Sequence, residues 1–198
     1  MRIGVTGGIA TGKNLVTNYF KELGCYIIDA DEIYHELIYP GKPLWKKLVE
    51  EFGSTILHSQ NMIDRKRLGD IVFNNKEALK KLNSITHNEI IKKIEERAKL
   101  HENDYKIIVI NAALLIEAGA KKIVDKVIVV WTDEQTQLER LMKRDNISKN
   151  EAEKRIKSQM SLKEKLKYAD YVIDNNGSKE QTKKQVIDLY KELIKDPI

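Results

Sequence analysis

The sequence predicts an α/β fold built on a parallel sheet, and three observations carry that expectation. Five short runs rich in β-branched residues, at 2–6, 26–29, 106–111, 126–131 and 171–174, are apolar without strict alternation, as strands covered on both faces are. Segments with helical apolar spacing separate them, the order expected of strand–helix–strand units. Between the first run and the first helical stripe lies a glycine-rich turn, Gly7-Gly8-Ile9-Ala10-Thr11-Gly12-Lys13.

Taken in chain order, the first helix is expected to begin around Asn14. Leu15, Val16, Tyr19, Phe20 and Leu23 lie on one face, and Gly24 supplies the stop. Leu44, Trp45, Leu48, Val49 and Phe52 repeat that stripe in a stretch between Asp29 and Lys106 that reads as almost entirely helical. A simple crossover takes only about 10–20 residues, so this stretch is expected to be a helical insertion. Three later helices are expected to open with capping boxes, at Thr132 with Gln135, Ser148 with Glu151 and Ser178 with Gln181. A second insertion, 138–168, is polar and rich in Lys and Arg, the kind of segment that closes over a ligand at the carboxyl ends of parallel strands.

Composition narrows the function classes. The 198 residues are 41% hydrophobic and 33% charged, a globular rather than a disordered balance. No apolar run approaches the roughly 18 residues of a membrane span, so no membrane partner is expected. MRIGVTGG leads straight into a strand and lacks the apolar core of a secretory signal. Cys25 is the one cysteine; it forms no internal disulfide and is too little for a zinc site, which points to a reducing, cytoplasmic location. The net charge of +5 is spread over mixed runs such as KKIEERAK and KNEAEKRIK, the pattern of solvated helix faces, so no nucleic-acid partner is expected.

The turn fits G-x-x-x-x-G-K through Gly7, Gly12 and Lys13, and its strand–turn–helix context makes it a phosphate-binding loop. Gly8, Ile9, Ala10, Thr11, Gly12, Lys13, Asn14 and Leu15 are the candidate ATP-binding residues. Glycines let backbone N–H groups converge on phosphates, the helix N-terminus adds partial positive charge, and Lys13 adds a full one. The eighth position is normally Ser or Thr, whose hydroxyl ligates Mg²⁺; here it is Asn14. An amide oxygen is still a hard donor, but it sits further out than Mg²⁺ at about 2.0–2.1 Å would suit, so a contact through water or a shifted carbonyl is expected. At the carboxyl end of the second strand, Asp29 and Asp31 point the same way by alternation. A carboxylate there can accept a proton from an attacking hydroxyl or hold Mg²⁺ through water; it can also simply cap the next helix. Arg140 and Arg144 lie four apart on one helix and can face one ligand or form a solvated face.

Here the chain resembles the dephospho-coenzyme A kinases. Eight motifs stand in that family's order and cover nearly the whole chain: TGGIATGK, IDADEIYHEL, PGKPLWKKLVEEFG, IDRKRLGDIVF, LNSITH, ALLIEAG, the lid pair QLERLMKRD and RIKSQ, and ADYVIDNNG. The resemblance implies a P-loop kinase fold with a five-stranded parallel sheet in the order 2-3-1-4-5. It implies a nucleotide-binding core at 1–31, 104–137 and 168–198, a helical coenzyme A-binding domain at 32–103 and a lid at 138–167. The implied reaction passes the γ-phosphoryl group of ATP, with Mg²⁺, to the ribose 3′-hydroxyl of dephospho-coenzyme A. Lys13, Asp31 and Arg140 would be catalytic, Arg144 would support Arg140 on the ATP phosphates, and Asn175 would lie near the adenine. Asp31 could also reach Mg²⁺ through water. Thr6, Asp29, Asp31, His35, Arg65, His87 and Glu117 match positions near the acceptor. A monomer or small homo-oligomer is expected.

The chain departs from the family pattern at Asn14, at Asn88 where Pro is common and a helix start is expected, and at Asn111, Ala112 and Ala113. Another small-molecule or nucleoside monophosphate kinase would share the loop and lid but not IDADEIYHEL with this insertion. A nucleotide-dependent regulatory protein would tolerate slow hydrolysis; the Asn-Lys-x-Asp signature of a guanine-nucleotide switch is absent.

Overall fold

In the computed structural model, which describes residues 1–195, the five apolar runs form one sheet in the order β2-β3-β1-β4-β5, every pairing parallel. The strands are β1 (Arg2–Gly7), β2 (Tyr26–Asp29), β3 (Ile108–Asn111), β4 (Lys126–Trp131) and β5 (Tyr171–Asp174). The predicted order is the observed one. β3 starts later than its apolar run because its ladder to β1 begins at Arg2 opposite Ile108. The Lys106 carbonyl, two residues before the strand, instead accepts from the Met1 amino group at 3.0 Å.

The helices are α1 (Lys13–Glu22), α2 (Ala30–Leu37), α3 (Pro43–Phe52), α4 (Arg65–Asn74), α5 (Lys76–His101), α6 (Glu134–Asp145), α7 (Lys149–Lys157), α8 (Leu162–Leu166) and α9 (Lys179–Leu193). Gly24 follows α1 at φ 87°, a left-handed position that suits a residue without Cβ. Capping boxes open α7 at Ser148 and α9 at Ser178, as predicted. At α6 the expectation fails by one residue. Asp133 is the cap, its carboxylate accepting from the Thr136 amide at 2.8 Å, while the Thr132 hydroxyl donates to Asn176 Oδ1 at 2.6 Å. A carboxylate caps more strongly than a hydroxyl does at this end, where the helix dipole favours negative charge. Asn88 is likewise not at a helix start but in the interior of α5.

The chain divides into two compact units, one of Met1–Asp29 with Arg97–Ile198 and the other of Ala30–Glu96. In the first, Ile3, Val5, Val109, Ile128, Val130 and Ile173 from the sheet form one apolar cluster with Val16 and Phe20 of α1 and Val186, Leu189 and Leu193 of α9. Phe20 is fully buried there, which contributes about 2–3 kcal/mol. At Gly4 a Cβ would collide with Leu115, so the glycine lets the segment after β3 lie directly on β1. β5 is one of the two edge strands, with β2 the other, and its Val172 remains half exposed, unlike the apolar residues of the inner strands.

The second unit has its own core of Ile38, Leu44, Leu48, Ile56, Ile63, Leu68 and Val72, with Tyr34, Trp45 and Phe52 packed around it. The predicted 44/48 stripe is thus buried, and Trp45 also donates through Nε1 to the Asn61 carbonyl at 2.8 Å. Leu48 has no exposed surface. Truncation to Leu48→Ala leaves a cavity in this core and is expected to cost about 2–4 kcal/mol, read as a lower midpoint in urea unfolding.

Candidate active site around the glycine-rich loop

Parallel pairing brings the carboxyl ends of β1, β2 and β3 to one edge of the sheet, and the register sets Asn111 of β3 beside Val5 of β1 and Asp29 of β2. β1 runs into the glycine-rich loop, and α1 starts at Lys13, so the loop's amides and the helix N-terminus share one place. Gly12 is left-handed at φ 92°, and Ala10 takes the same hand at φ 60° despite its Cβ. A non-glycine residue held there costs roughly 1–2 kcal/mol, so the fold must supply what holds it.

The loop's own hydrogen bonds converge on Gly8. Its carbonyl accepts from the Thr11 hydroxyl at 3.0 Å and from Lys13 Nζ at 3.1 Å. Three distant side chains then pin the loop. Asn175, after β5, donates through Nδ2 to the Thr11 carbonyl at 2.8 Å, while its Oδ1 accepts from the Thr182 hydroxyl at 2.8 Å. Gln137 of α6 donates to the Ile9 carbonyl at 2.8 Å, and the Ile9 N–H donates to Gln159 Oε1 at 2.9 Å. A Cβ at Gly12 would strike Asn175 and one at Gly8 would strike Gln137, so each glycine makes room for a latch.

These contacts redistribute the predicted site residues. Asn175 is buried, and both polar groups of its side chain are spent on the loop and α9. Any contact it makes with a base must therefore come from its backbone. Arg140 Nη1 donates to the Asn175 carbonyl at 2.9 Å and so lies beside the loop. Arg144 pairs with Asp145 at 2.7 Å, and Arg155 joins the same carboxylate at 2.8 Å. The Arg144 side chain accordingly lies along the α6–α7 connection. The hydrogen bond from Arg144, desolvation being the opposing influence, holds the Asp145 carboxyl below the usual carboxylate range. Thr6 is fully buried, its hydroxyl donating to the Ala113 carbonyl at 3.1 Å.

Glu117 is not open to a ligand in this arrangement. Both its oxygens accept from Lys165 Nζ, at 2.8 and 2.7 Å, and Oε1 also accepts from the Met160 amide at 3.0 Å. Lys165 is fully buried and donates besides to the Ala113 carbonyl at 2.7 Å. Burial pulls the Lys165 ammonium below its ordinary value, and the hydrogen bond and charge of Glu117 push it back up.

Asn14 and Asp29 meet at Asn111. The Asn111 Nδ2 donates to Asp29 Oδ2 at 2.6 Å and to Asn14 Oδ1 at 3.0 Å, and Asn111 Oδ1 is buried without a hydrogen-bond partner. These are hard oxygens, the donor type Mg²⁺ takes. Among the described residues no group of three or more His, Cys, Asp or Glu could hold a metal. The set therefore fits Mg²⁺ that arrives with nucleotide phosphates and keeps much of its water, rather than an all-protein cage.

The remaining candidates belong to the second unit. Asp31 lies in the first turn of α2, exposed, and His35 is one turn further on. His35 Nε2 is hydrogen-bonded to the guanidinium of Arg65, the first residue of α4. His87 is half-buried within α5. Leu15 is half-buried in the first turn of α1.

Known proteins resemble this chain along nearly all its length. A family model described as dephospho-CoA kinase matches residues 1–181. A dephospho-CoA kinase of Aquifex aeolicus is 46% identical over 196 residues, covering 99% of both chains. One of Carboxydothermus hydrogenoformans is 47% identical, over 93% of this chain and 90% of its own. Among solved structures, a dephospho-CoA kinase from Campylobacter jejuni superposes with a TM-score of 0.72 at 35% identity, covering 98% of this chain and 97% of its own. A shikimate kinase from Acinetobacter baumannii, in complex with shikimate, shares the fold at TM-score 0.55 and 16% identity, over 98% and 93% of the two chains.

The buried Glu117–Lys165 pair yields a stability test. Lys165→Met leaves the Glu117 carboxylate without its counter-charge and is expected to cost about 3 kcal/mol. Adding Glu117→Gln removes that stranded charge, and the double variant should unfold at a higher urea concentration than Lys165→Met alone.

Proposed function

The chain belongs to the dephospho-CoA kinase family, and from that membership we infer how its own residues share the family's reaction. The enzyme transfers the γ-phosphoryl group of ATP to the 3′-hydroxyl of dephospho-coenzyme A, giving coenzyme A and ADP, the last step of coenzyme A biosynthesis. The observation that carries the division of labour is the latched loop: Gly8 to Asn14 forms a fixed cradle beside Asn111 and Asp29, with Lys13 and Arg140 at its rim.

In this reading the backbone amides of the 8–14 loop, apart from the Ile9 N–H that Gln159 engages, and the N-terminus of α1 hold the ATP phosphates. Lys13 leaves the Gly8 carbonyl to meet the transferring phosphoryl group, since a phosphate is the stronger acceptor for an ammonium. Arg140 adds charge at the same phosphates, and Arg144 supports it after leaving Asp145. Asp31 orients the acceptor hydroxyl and takes its proton. The transition state is loose, so positioning and charge stabilisation dominate over the strength of that base. Thr6, Asp29, His35, Arg65, His87 and Glu117 fall at family positions near the acceptor. The Arg65–His35 pair offers a cation to its phosphates, whereas Thr6 and Glu117 act by holding the strand exit. Asn14 and Asp31 would hold Mg²⁺ through water, and the ion would supply charge neutralisation at the phosphate oxygens.

We place the enzyme in the cytoplasm, as a monomer or small homo-oligomer without membrane or nucleic-acid partners. The buried Cys25 thiol, pushed up to about 12 by burial, suits a reducing compartment. No helix among the described residues is long and apolar enough to cross a membrane. The domain division proposed is a core of 1–31, 104–137 and 168–198, a coenzyme A-binding region of 32–103 and a lid of 138–167.

ADP release measured with dephospho-coenzyme A, with adenosine monophosphate and with no acceptor tests the reaction; stimulation by dephospho-coenzyme A alone is expected, and its lack would overturn the assignment. Asp31→Asn is expected to lower kcat by about a hundredfold or more while ATP affinity holds. Near-normal turnover would remove Asp31 from the chemistry. Asn14→Ser places a hydroxyl at the metal position and is expected to lower the Mg²⁺ concentration needed for half-maximal binding of a non-hydrolysable ATP analogue. An unchanged Mg²⁺ titration would deny Asn14 any metal-linked part.

A further inference from the structure

Ile9 lies within the phosphate loop, and the peptide groups on either side of it are held by two glutamines, one from α6 and one from the segment after α7. Gln137 Nε2 donates to its carbonyl at 2.8 Å and Gln159 Oε1 accepts from its N–H at 2.9 Å. The atom types leave no choice of amide orientation, because a carbonyl must accept and an N–H must donate. The two glutamines stand on either side of the α6–α7 pair. Gln137 is buried in the first turns of α6, and Gln159 follows the end of α7.

Gln159 is itself fixed. The next residue, Met160, donates its amide to Glu117 Oε1 at 3.0 Å. Glu117 is clasped by the buried Lys165 of α8, and Lys165 also donates to the Ala113 carbonyl, which accepts in turn from the Thr6 hydroxyl of β1. A closed circuit therefore runs from the end of β1, through Ala113, Lys165, Glu117 and Met160, to Gln159 and back to the loop two residues after the end of β1. Ala10, next to the clamped peptide, is the one loop residue with a Cβ held at positive φ, 60°.

We propose that Gln159 is a positioning residue for phosphoryl transfer: by holding the Ile9 N–H, with Gln137 on the Ile9 carbonyl, it keeps the backbone that leads into the left-handed Ala10 in the shape that aims the loop's remaining amides at the ATP phosphates. The inference rests on the ATP-dependent reaction assigned above and goes beyond it. Gln159 touches no reacting atom. Its Oε1 occupies an N–H that would otherwise be free to turn, and the Glu117–Lys165 pair sets where that oxygen stands. The two glutamines thereby preset the cradle, apart from any closure over bound nucleotide.

Gln159→Met keeps length and removes the acceptor; Gln159→Glu keeps an acceptor. Amide exchange at Ile9 and Ala10, the Kd of a Mg²⁺-bound non-hydrolysable ATP analogue, and kcat and KM for both substrates are read on each, with melting to verify the fold. The loss of one such hydrogen bond is expected in Gln159→Met as exchange about tenfold faster at Ile9, analogue binding about tenfold weaker and a kcat about tenfold lower. KM for dephospho-coenzyme A should stay within about twofold, and Gln159→Glu should keep Ile9 protected. Analogue binding and kcat in Gln159→Met within about twofold of the parent would overturn the proposal. So would tighter analogue binding, which would make Gln159 a competitor of the nucleotide for the Ile9 N–H. Should Gln159→Met melt early, loss of Ile9 protection in Gln159→Glu overturns it instead. Exchange and analogue binding need no acceptor substrate, so a failure of the parent enzyme to phosphorylate dephospho-coenzyme A would count against the assigned reaction alone.

Discussion

A loop that must offer several of its own N–H groups to a ligand cannot satisfy them in the usual way, by pairing with neighbouring backbone. It has to be held open from outside. Here the hold comes from carboxamides: Asn175 on the Thr11 carbonyl, Gln137 on the Ile9 carbonyl and Gln159 on the Ile9 N–H. A carboxamide can donate and accept while remaining neutral, so it can brace a loop meant for a highly charged ligand without adding a competing charge. The placement of β5, α6 and the segment after α7 around β1 follows from this need. So does the absence of a Cβ at Gly8 and Gly12, where the braces lie against the backbone.

Much of this architecture is legible in the sequence. Uninterrupted β-branched runs mark the parallel strands, because strands covered on both faces lose the alternation that half-exposed strands show. The Gly7–Lys13 spacing marks the loop because its glycine positions are fixed by backbone geometry. What stays hidden are partners chosen by distance alone. Nothing in the pattern around Asn175 or Gln159 ties either to a loop more than a hundred residues earlier, since a neutral amide disturbs neither periodicity nor charge. Lys165 is hidden differently. It stands in LKEKLKY beside Lys163 and Lys167, yet it is fully buried while they are exposed. Glu117 matches a position near the acceptor by motif, and only the structure reveals that Lys165 already engages both its oxygens. Thr132 gives way as the cap of α6 because Asp133 beside it offers a stronger acceptor.

The neutral cluster of Asn14 and Asn111 is the feature that most distinguishes the loop's surroundings. Asp29 is the carboxylate of that trio, held at 2.6 Å by the Asn111 amide. On the proposed reading, a divalent cation here would be attracted mainly by the nucleotide it accompanies, and the protein's oxygens would orient it rather than bind it alone.

The Asn175 latch also has a consequence for the order in which the molecule matures. β1 and its loop are made before the other strands, but β1 is the central strand, and its neighbours arrive about a hundred residues later. The side chain that fixes the Thr11 carbonyl comes later still, just after β5. An emerging chain therefore carries the complete glycine-rich motif through most of its synthesis with the loop's own hydrogen bonds but without the latch on the Thr11 carbonyl. The fully braced loop belongs to the finished sheet and not to the partly made chain.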